Sequence, residues 1–252
     1  MGREGFLMVR CCLAYAVVVV FSAASQSSAQ AEPRAVIELF TSQGCSSCPP
    51  ADKVLGELAA DPSLVAISVP IDYWDYLGWK DTLADHRNTT RQKGYAHARG
   101  DGQVYTPQVV VNGSLHALGS DKAAIERAIA LSRKNGAMSS PPVTLAMADG
   151  RINVSIADAA GGHPAAEVWL CGLTKAVTIA IGRGENKGRT ITYHNVVRRW
   201  LKLGDWVGKA NSWSVPTQTI KGDGIDEAAI LVQSGTVEKP KAILGATLAA
   251  IR

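Results

Sequence analysis

The sequence predicts an α+β protein: a mixed sheet with flanking helices over residues 32–138, then an all-β, sandwich-like half over residues 143–252. Three observations predict it. The first half runs strand, helix, strand, helix, hairpin, helix, an order that gives a mixed sheet covered by helices. Ser139-Ser140-Pro141-Pro142 then interrupts the pattern as a linker over 139–142. Beyond it the apolar residues alternate, and Gly-rich turns separate the runs, as in packed antiparallel sheets.

Residues 1–31 have the pattern of a secretory signal peptide. Arg3 and Arg10 make a positive start, an apolar stretch runs over 11–24, and Ala29-Gln30-Ala31 is a small-x-small cleavage site. The apolar stretch is short for a membrane span; left uncleaved it would serve as an anchor. Its removal lowers the net charge from +4 to +3 and leaves Cys45, Cys48 and Cys171. Export implies a periplasmic or secreted location, where thiol chemistry meets an oxidising medium. Membrane contact is then expected only through the signal segment before cleavage. The basic residues are scattered, with no run that would track a phosphate backbone, so nucleic acid is not an expected partner.

The elements follow in order. Residues 35–40 (AVIELF) form a short apolar run, a buried strand. The loop Thr41-Ser42-Gln43-Gly44 leads to Cys45-Ser46-Ser47-Cys48, and Pro49 and Pro50 suit only the first turn of a helix, where a missing N–H costs nothing. Val54, Leu55 and Leu58 continue at helical spacing until Asp61-Pro62. Residues 64–69 are a second strand. A short helix is expected over 88–95, capped by Asn88 or Thr89. Residues 108–111 and 115–118 flank Asn112-Gly113, a hairpin signal. A last helix, capped by Ser120 or Asp121, closes at Lys134-Asn135-Gly136. In the second half Asp149-Gly150 turns a hairpin, and strands are expected over 168–173, 177–181, 190–197 and 228–233.

Two cysteines at the mouth of a helix have a specific chemical use. The helix N-terminus carries unpaired N–H groups and partial positive charge, which favours a thiolate at Cys45. Cys45 then attacks or leaves a mixed disulfide, and Cys48, one turn along, resolves it. No cofactor is needed. A structural disulfide and half of a metal site are the other readings of a single C-x-x-C; a structural zinc requires four ligands, and no second C-x-x-C occurs. Cys171, in the apolar run VWLCGL, has the setting of a buried small hydrophobe.

With Pro107 opening a strand downstream, the chain resembles the thioredoxin fold. That resemblance implies a cis-proline at Pro107 opposite the cysteine pair, with Thr106 offering its backbone to an incoming peptide. A trans proline at a strand start is the other reading. The resemblance also implies a buried acid that serves proton transfer, a role Glu38 would fill if the Ser42-Gln43-Gly44 loop absorbs one residue of register; otherwise Glu38 is a strand-end charge. The chain departs from thioredoxin in having Gln43-Gly44 before Cys45 and Ser-Ser between the cysteines.

Five segments are more particular: GCSSCPPAD, DYWDYLGWKD, RQKGYA, VYTPQVVVNG and GRGENKGRTITYHNVV. Together they resemble the family called domain of unknown function 1223, over about residues 35–246. That resemblance implies a thioredoxin-like domain followed by a β-rich region, and no reaction. Tyr73, Trp74, Tyr76 and Trp79 would form an aromatic wall for an apolar partner, or a loop packed on itself. The glycines of 182–189 suit a hairpin turn; without a following helix the segment is no phosphate loop. The expected function is an exported thiol–disulfide oxidoreductase acting on thiol- or disulfide-bearing exported proteins, or on a small thiol. The alternative is a non-catalytic binding or accessory protein on the same scaffold, its cysteines a permanent disulfide or a soft site for copper(I).

Overall fold

Strand β1 (Ala35–Thr41) is buried along its whole length, as a continuous apolar run requires of a strand covered on both faces. It pairs in parallel with β2 (Leu64–Pro70) through the crossover helix α1 (Pro49–Ala59), and antiparallel with β3 (Gln108–Val111), which pairs with β4 (Leu115–Leu118). Helices α2 (His86–Arg99) and α3 (Lys122–Lys134) complete the first half. In this computed structural model residues 1–2, 32–159, 164–222, 224–236 and 238–251 are described. Apart from Met1 and Gly2, the expected signal segment lies outside them.

The large mixed sheet does not end at residue 139. Strands β7 (Ala166–Ala180), β8 (Thr190–Trp206), β10 (Glu227–Gly235) and β11 (Pro240–Ala250) extend it, in the order β11-β10-β7-β8-β2-β1-β3-β4. The join is a parallel contact between Ser68 of β2 and Val196 of β8. A second, antiparallel sheet holds β5 (Val143–Ala148), β6 (Arg151–Ile156) and β9 (Asn211–Pro216). The sandwich expected of the second half therefore has one small sheet of its own, and its other layer is the extension of the shared sheet. Residues 31–252 form one compact unit, without a break at 139–142.

Three packed layers follow. On one face of the central strands, Ile37, Leu39 and Val109 meet Leu55 and Leu58 of α1 and Ile125 and Ile129 of α3. On the other, Val36, Phe40 and Ile67 meet Tyr95 of α2, with Leu231 and Ile243. Ile152, Val154 and Ile156 of β6 cover Val168, Leu170, Ile230 and Trp206. Each such side chain contributes about 1.5–3 kcal/mol of burial.

Turn chemistry set two junctions as expected. Asn112 and Gly113 have φ of 48° and 69°, Asp149 and Gly150 50° and 68°, the left-handed pair that tight hairpins use. Helix α2 differs: it starts earlier, capped by Asp85, whose carboxylate accepts from the Arg87 N–H. Asn88 and Thr89 lie inside it and tie it to the chain before it, Asn88 Nδ2 donating to the Pro70 carbonyl and Thr89 Oγ1 to Asp72.

Candidate functional site

Pro49 and Pro50 occupy the first turn of α1, with Cys48 at its N-cap. A disulfide joins Cys45 to Cys48, with the two Cα atoms 5.4 Å apart. Ser46 and Ser47 between them are exposed. The sulfurs are not: Cys45 is 2% exposed and Cys48 0%. A helix-mouth sulfur would be expected to stand open; here two loops cover it.

One cover is the aromatic segment. A Cβ placed on Gly44 would stand 3.0 Å from the Trp74 Cβ, so the loop before Cys45 lies against Trp74. Trp74 Nε1 donates to Thr106 Oγ1 at 2.7 Å, and Trp79 Nε1 donates to Gln43 Oε1 at 2.7 Å. Tyr76 stacks on Trp74 with ring centroids 6.1 Å apart and is itself exposed. The other cover is the Gly-rich turn, with φ of 73° at Gly184 and 82° at Gly188. It reaches back so that Asn186 Nδ2 donates to the carbonyls of Gln43 (2.9 Å) and Cys45 (2.8 Å). Glu185 Oε2 accepts from the Ser46 N–H at 3.3 Å. Asp81 Oδ2 accepts from the Gln43 N–H at 2.8 Å.

The Thr106–Pro107 peptide bond is cis. A Cβ on Gly119 would stand 3.0 Å from the Ala51 Cβ and 3.2 Å from the Pro107 Cβ, so Pro107 borders the first turns of α1. Pro107 thus lies by the first turns of α1, and Trp74 spans the loop before Cys45 and the loop that carries Thr106.

Glu38 does not join them. It shares its face of β1 with Val36 and Phe40, the face that α2 covers, whereas α1 packs on Ile37 and Leu39. Its fully buried carboxylate accepts from Arg91 Nε at 2.6 Å and from the Tyr95 hydroxyl. The role expected of it fails because strand side chains alternate, and one place of register reverses the face.

The buried acid on the cysteine side is Asp52, one helical turn after Cys48. Its Oδ1 accepts from the Thr41 hydroxyl at 2.8 Å, and its Oδ2 has no partner among the described residues. Burial pushes its carboxyl up to about 8, against the pull of Thr41 and with help from the charge of Asp81. Burial raises Asp81 too, and the Tyr193 phenol, whose hydroxyl is also unpartnered. Cys171 is fully buried, and its thiol is pushed up by burial.

Sequence reasoning missed Asp52, Gln43, Asp81 and Asn186. Asp52 stands inside the quoted segment GCSSCPPAD, and its position four residues after Cys48 was the available signal. No such signal marks Asn186, whose role depends on a long-range return. Among the described residues no three His, Cys, Asp or Glu side chains form a metal-binding group, and no helix is long and apolar enough to cross a membrane.

The profile of a family described as "Protein of unknown function (DUF1223)" matches residues 36–233. The X-ray structure of a protein from Agrobacterium tumefaciens is similar over 87% of this chain and 95% of its own, with 34% identity and a TM-score of 0.77. The structure titled HBP35 of Porphyromonas gingivalis shares the fold at 11% identity, covering 87% of this chain and 76% of its own with a TM-score of 0.53. No curated protein matches the sequence.

Proposed function

The chain belongs to the DUF1223 family, and from its cysteine site we propose that it is an exported thiol–disulfide oxidoreductase with a thioredoxin-like first half, acting on thiol-bearing exported proteins or a small thiol. One observation carries the reading: a disulfide at the first turn of α1, near which Pro107 lies, with a partly unpartnered buried acid one turn further in. A staple alone has no use for that acid. Burying a carboxyl with one oxygen unpaired costs stability.

A substrate thiolate attacks Cys45 Sγ. The Cys45–Cys48 bond breaks with its electron pair on Cys48, which takes a proton; Asp52, neutral below its raised value of about 8, supplies it. The substrate's second thiolate then attacks its own sulfur in the mixed disulfide and releases Cys45 as a thiolate. Two electrons pass from the substrate dithiol to the pair, and the reverse sequence reduces a substrate disulfide. The helix N-terminus favours the Cys45 thiolate. In the role the thioredoxin resemblance assigns, Thr106 presents its backbone to the partner once Trp74 has withdrawn.

The 2% exposure of Cys45 favours a second reading, a non-catalytic accessory protein whose disulfide is permanent. Trapping separates the two. Cys48→Ser should accumulate mixed disulfides at Cys45 with exported proteins or added thiols, and Cys45→Ser should accumulate none. If Cys48→Ser captures no partner and forms no glutathione adduct, the accessory reading stands instead.

A further inference from the structure

We infer that the cavity between α2 and the β7–β8 pair, remote from the disulfide loops in its lining, is a binding site for a small aromatic carboxylate. The cavity holds about 210 Å³ and is lined by Arg87, Thr90, Arg91, Trp169 and Trp200. That is below the range of sites for larger ligands and suits a ring bearing one acid group.

Its walls are fixed in place. The two indoles meet edge to face, centroids 6.4 Å apart at 84°. Neither is free to swing shut. Trp200 Nε1 donates to Asn88 Oδ1 at 3.0 Å, and Trp169 Nε1 to Glu167 Oε2 at 3.2 Å. Holding an aromatic wall open before the ligand arrives lowers the ordering cost of binding.

Its inner wall carries a buried guanidinium, that of Arg91, paired with Glu38 behind it. Arg91 is 6% exposed, yet borders the cavity. Its bonds to Glu38, Tyr95 and Gln233 leave from Nε and Nη2, and Nη1 makes none of them. Its guanidinium lies over Trp200, Cζ 4.6 Å from the ring centroid. Arg87 also lines the cavity, largely exposed and only loosely paired with Asp85 at 3.6 Å. Glu167, the acceptor of the Trp169 indole N–H, is engaged by Lys202 at 2.8 Å. A buried ion pair seldom adds stability over an apolar replacement, so Glu38–Arg91 is better explained by what the guanidinium faces. An aryl group against the indoles, with its carboxylate between Arg91 and Arg87, satisfies both the apolar and the charged wall.

Titration calorimetry of the full chain with benzoate tests this, with benzyl alcohol as the uncharged counterpart. Benzoate should bind saturably at one site, and benzyl alcohol about tenfold more weakly or worse, as loss of a charge-assisted hydrogen bond implies. Arg87→Gln, on an exposed side chain, should weaken benzoate by about tenfold, and Trp169→Leu by at least as much. Absence of benzoate binding at concentrations on the order of 10 mM, equal affinity for both probes, or unchanged affinity in Arg87→Gln would each overturn the proposal. Should Trp169→Leu not fold, the Arg87 variant and the alcohol decide.

Discussion

Trp74 donates its indole N–H to the hydroxyl of Thr106, the residue before the cis-proline, at 2.7 Å. Because Trp74 also packs on Gly44, one side chain bridges the loop leading to Cys45 and the loop ending at Pro107. One hydrogen bond thus fastens the Gly44 side of the buried disulfide to the Thr106 loop.

Replacing that donor should loosen the cover. Trp74→Phe keeps most of the packing and loses one hydrogen bond, worth about 1 kcal/mol. The variant's disulfide is expected to be reduced by dithiothreitol about fivefold faster, since about 1 kcal/mol corresponds to a factor of roughly five. Timed thiol alkylation reads this, and an unchanged rate would mean that Trp74 does not control access.

Asp52 should make stability depend on pH in a defined direction. Its carboxyl rises from 3.8 to about 8 on folding. Between those values the unfolded chain has lost a proton that the folded chain keeps, so native stability falls as pH rises through that window and levels off above it. Asp52→Asn lacks the penalty. The variant is expected to match the native protein near pH 3 and to exceed it by on the order of 5 kcal/mol above about pH 8, about four pKa units at about 1.4 kcal/mol each. Urea denaturation of the oxidised protein at both pH values checks it. A difference of the same size at both would show that Asp52 is not buried in its neutral form.

Glu38 should matter for stability and not for redox chemistry. Glu38→Gln leaves the Arg91 guanidinium buried without its anion, at a cost of about 3–5 kcal/mol. The reduction potential of the cysteine couple should stay at its native value, because Glu38 lies on the α2 face of the sheet. A shifted potential would restore the proton-transfer role that the sequence suggested.

Asn186 should be needed as a donor and not for its shape. Asn186→Ala leaves two buried carbonyls, those of Gln43 and Cys45, without their partner, a loss of about 2–3 kcal/mol. Asn186→Asp turns an acceptor towards both and should cost more. Equal stability of the Asp variant and the native protein would contradict the assignment.

Local chemistry was legible in the sequence; long-range returns were not. Pro49-Pro50 marked the start of α1, and Asn112-Gly113 and Asp149-Gly150 marked two hairpins, because each dipeptide constrains its own backbone. Strands β7 and β8 were legible only in pieces, since polar residues such as Lys175 and Arg198-Arg199 interrupt runs that the structure continues. Strand β11 was missed: Ala246, Ala249 and Ala250 do not alternate with polar residues, and its place is set by antiparallel pairing with β10. At the site, the cysteines and Pro107 were legible as motif and spacing. The cover was not, because Asn186 reaches Cys45 across 141 residues.

The reduction potential of the Cys45/Cys48 couple tests the central claim most directly. Equilibration in graded thiol–disulfide buffers, read by alkylation, should give a value between roughly −120 and −270 mV, the span of catalytic pairs. A value below about −300 mV is that of a permanent structural disulfide and would contradict the account.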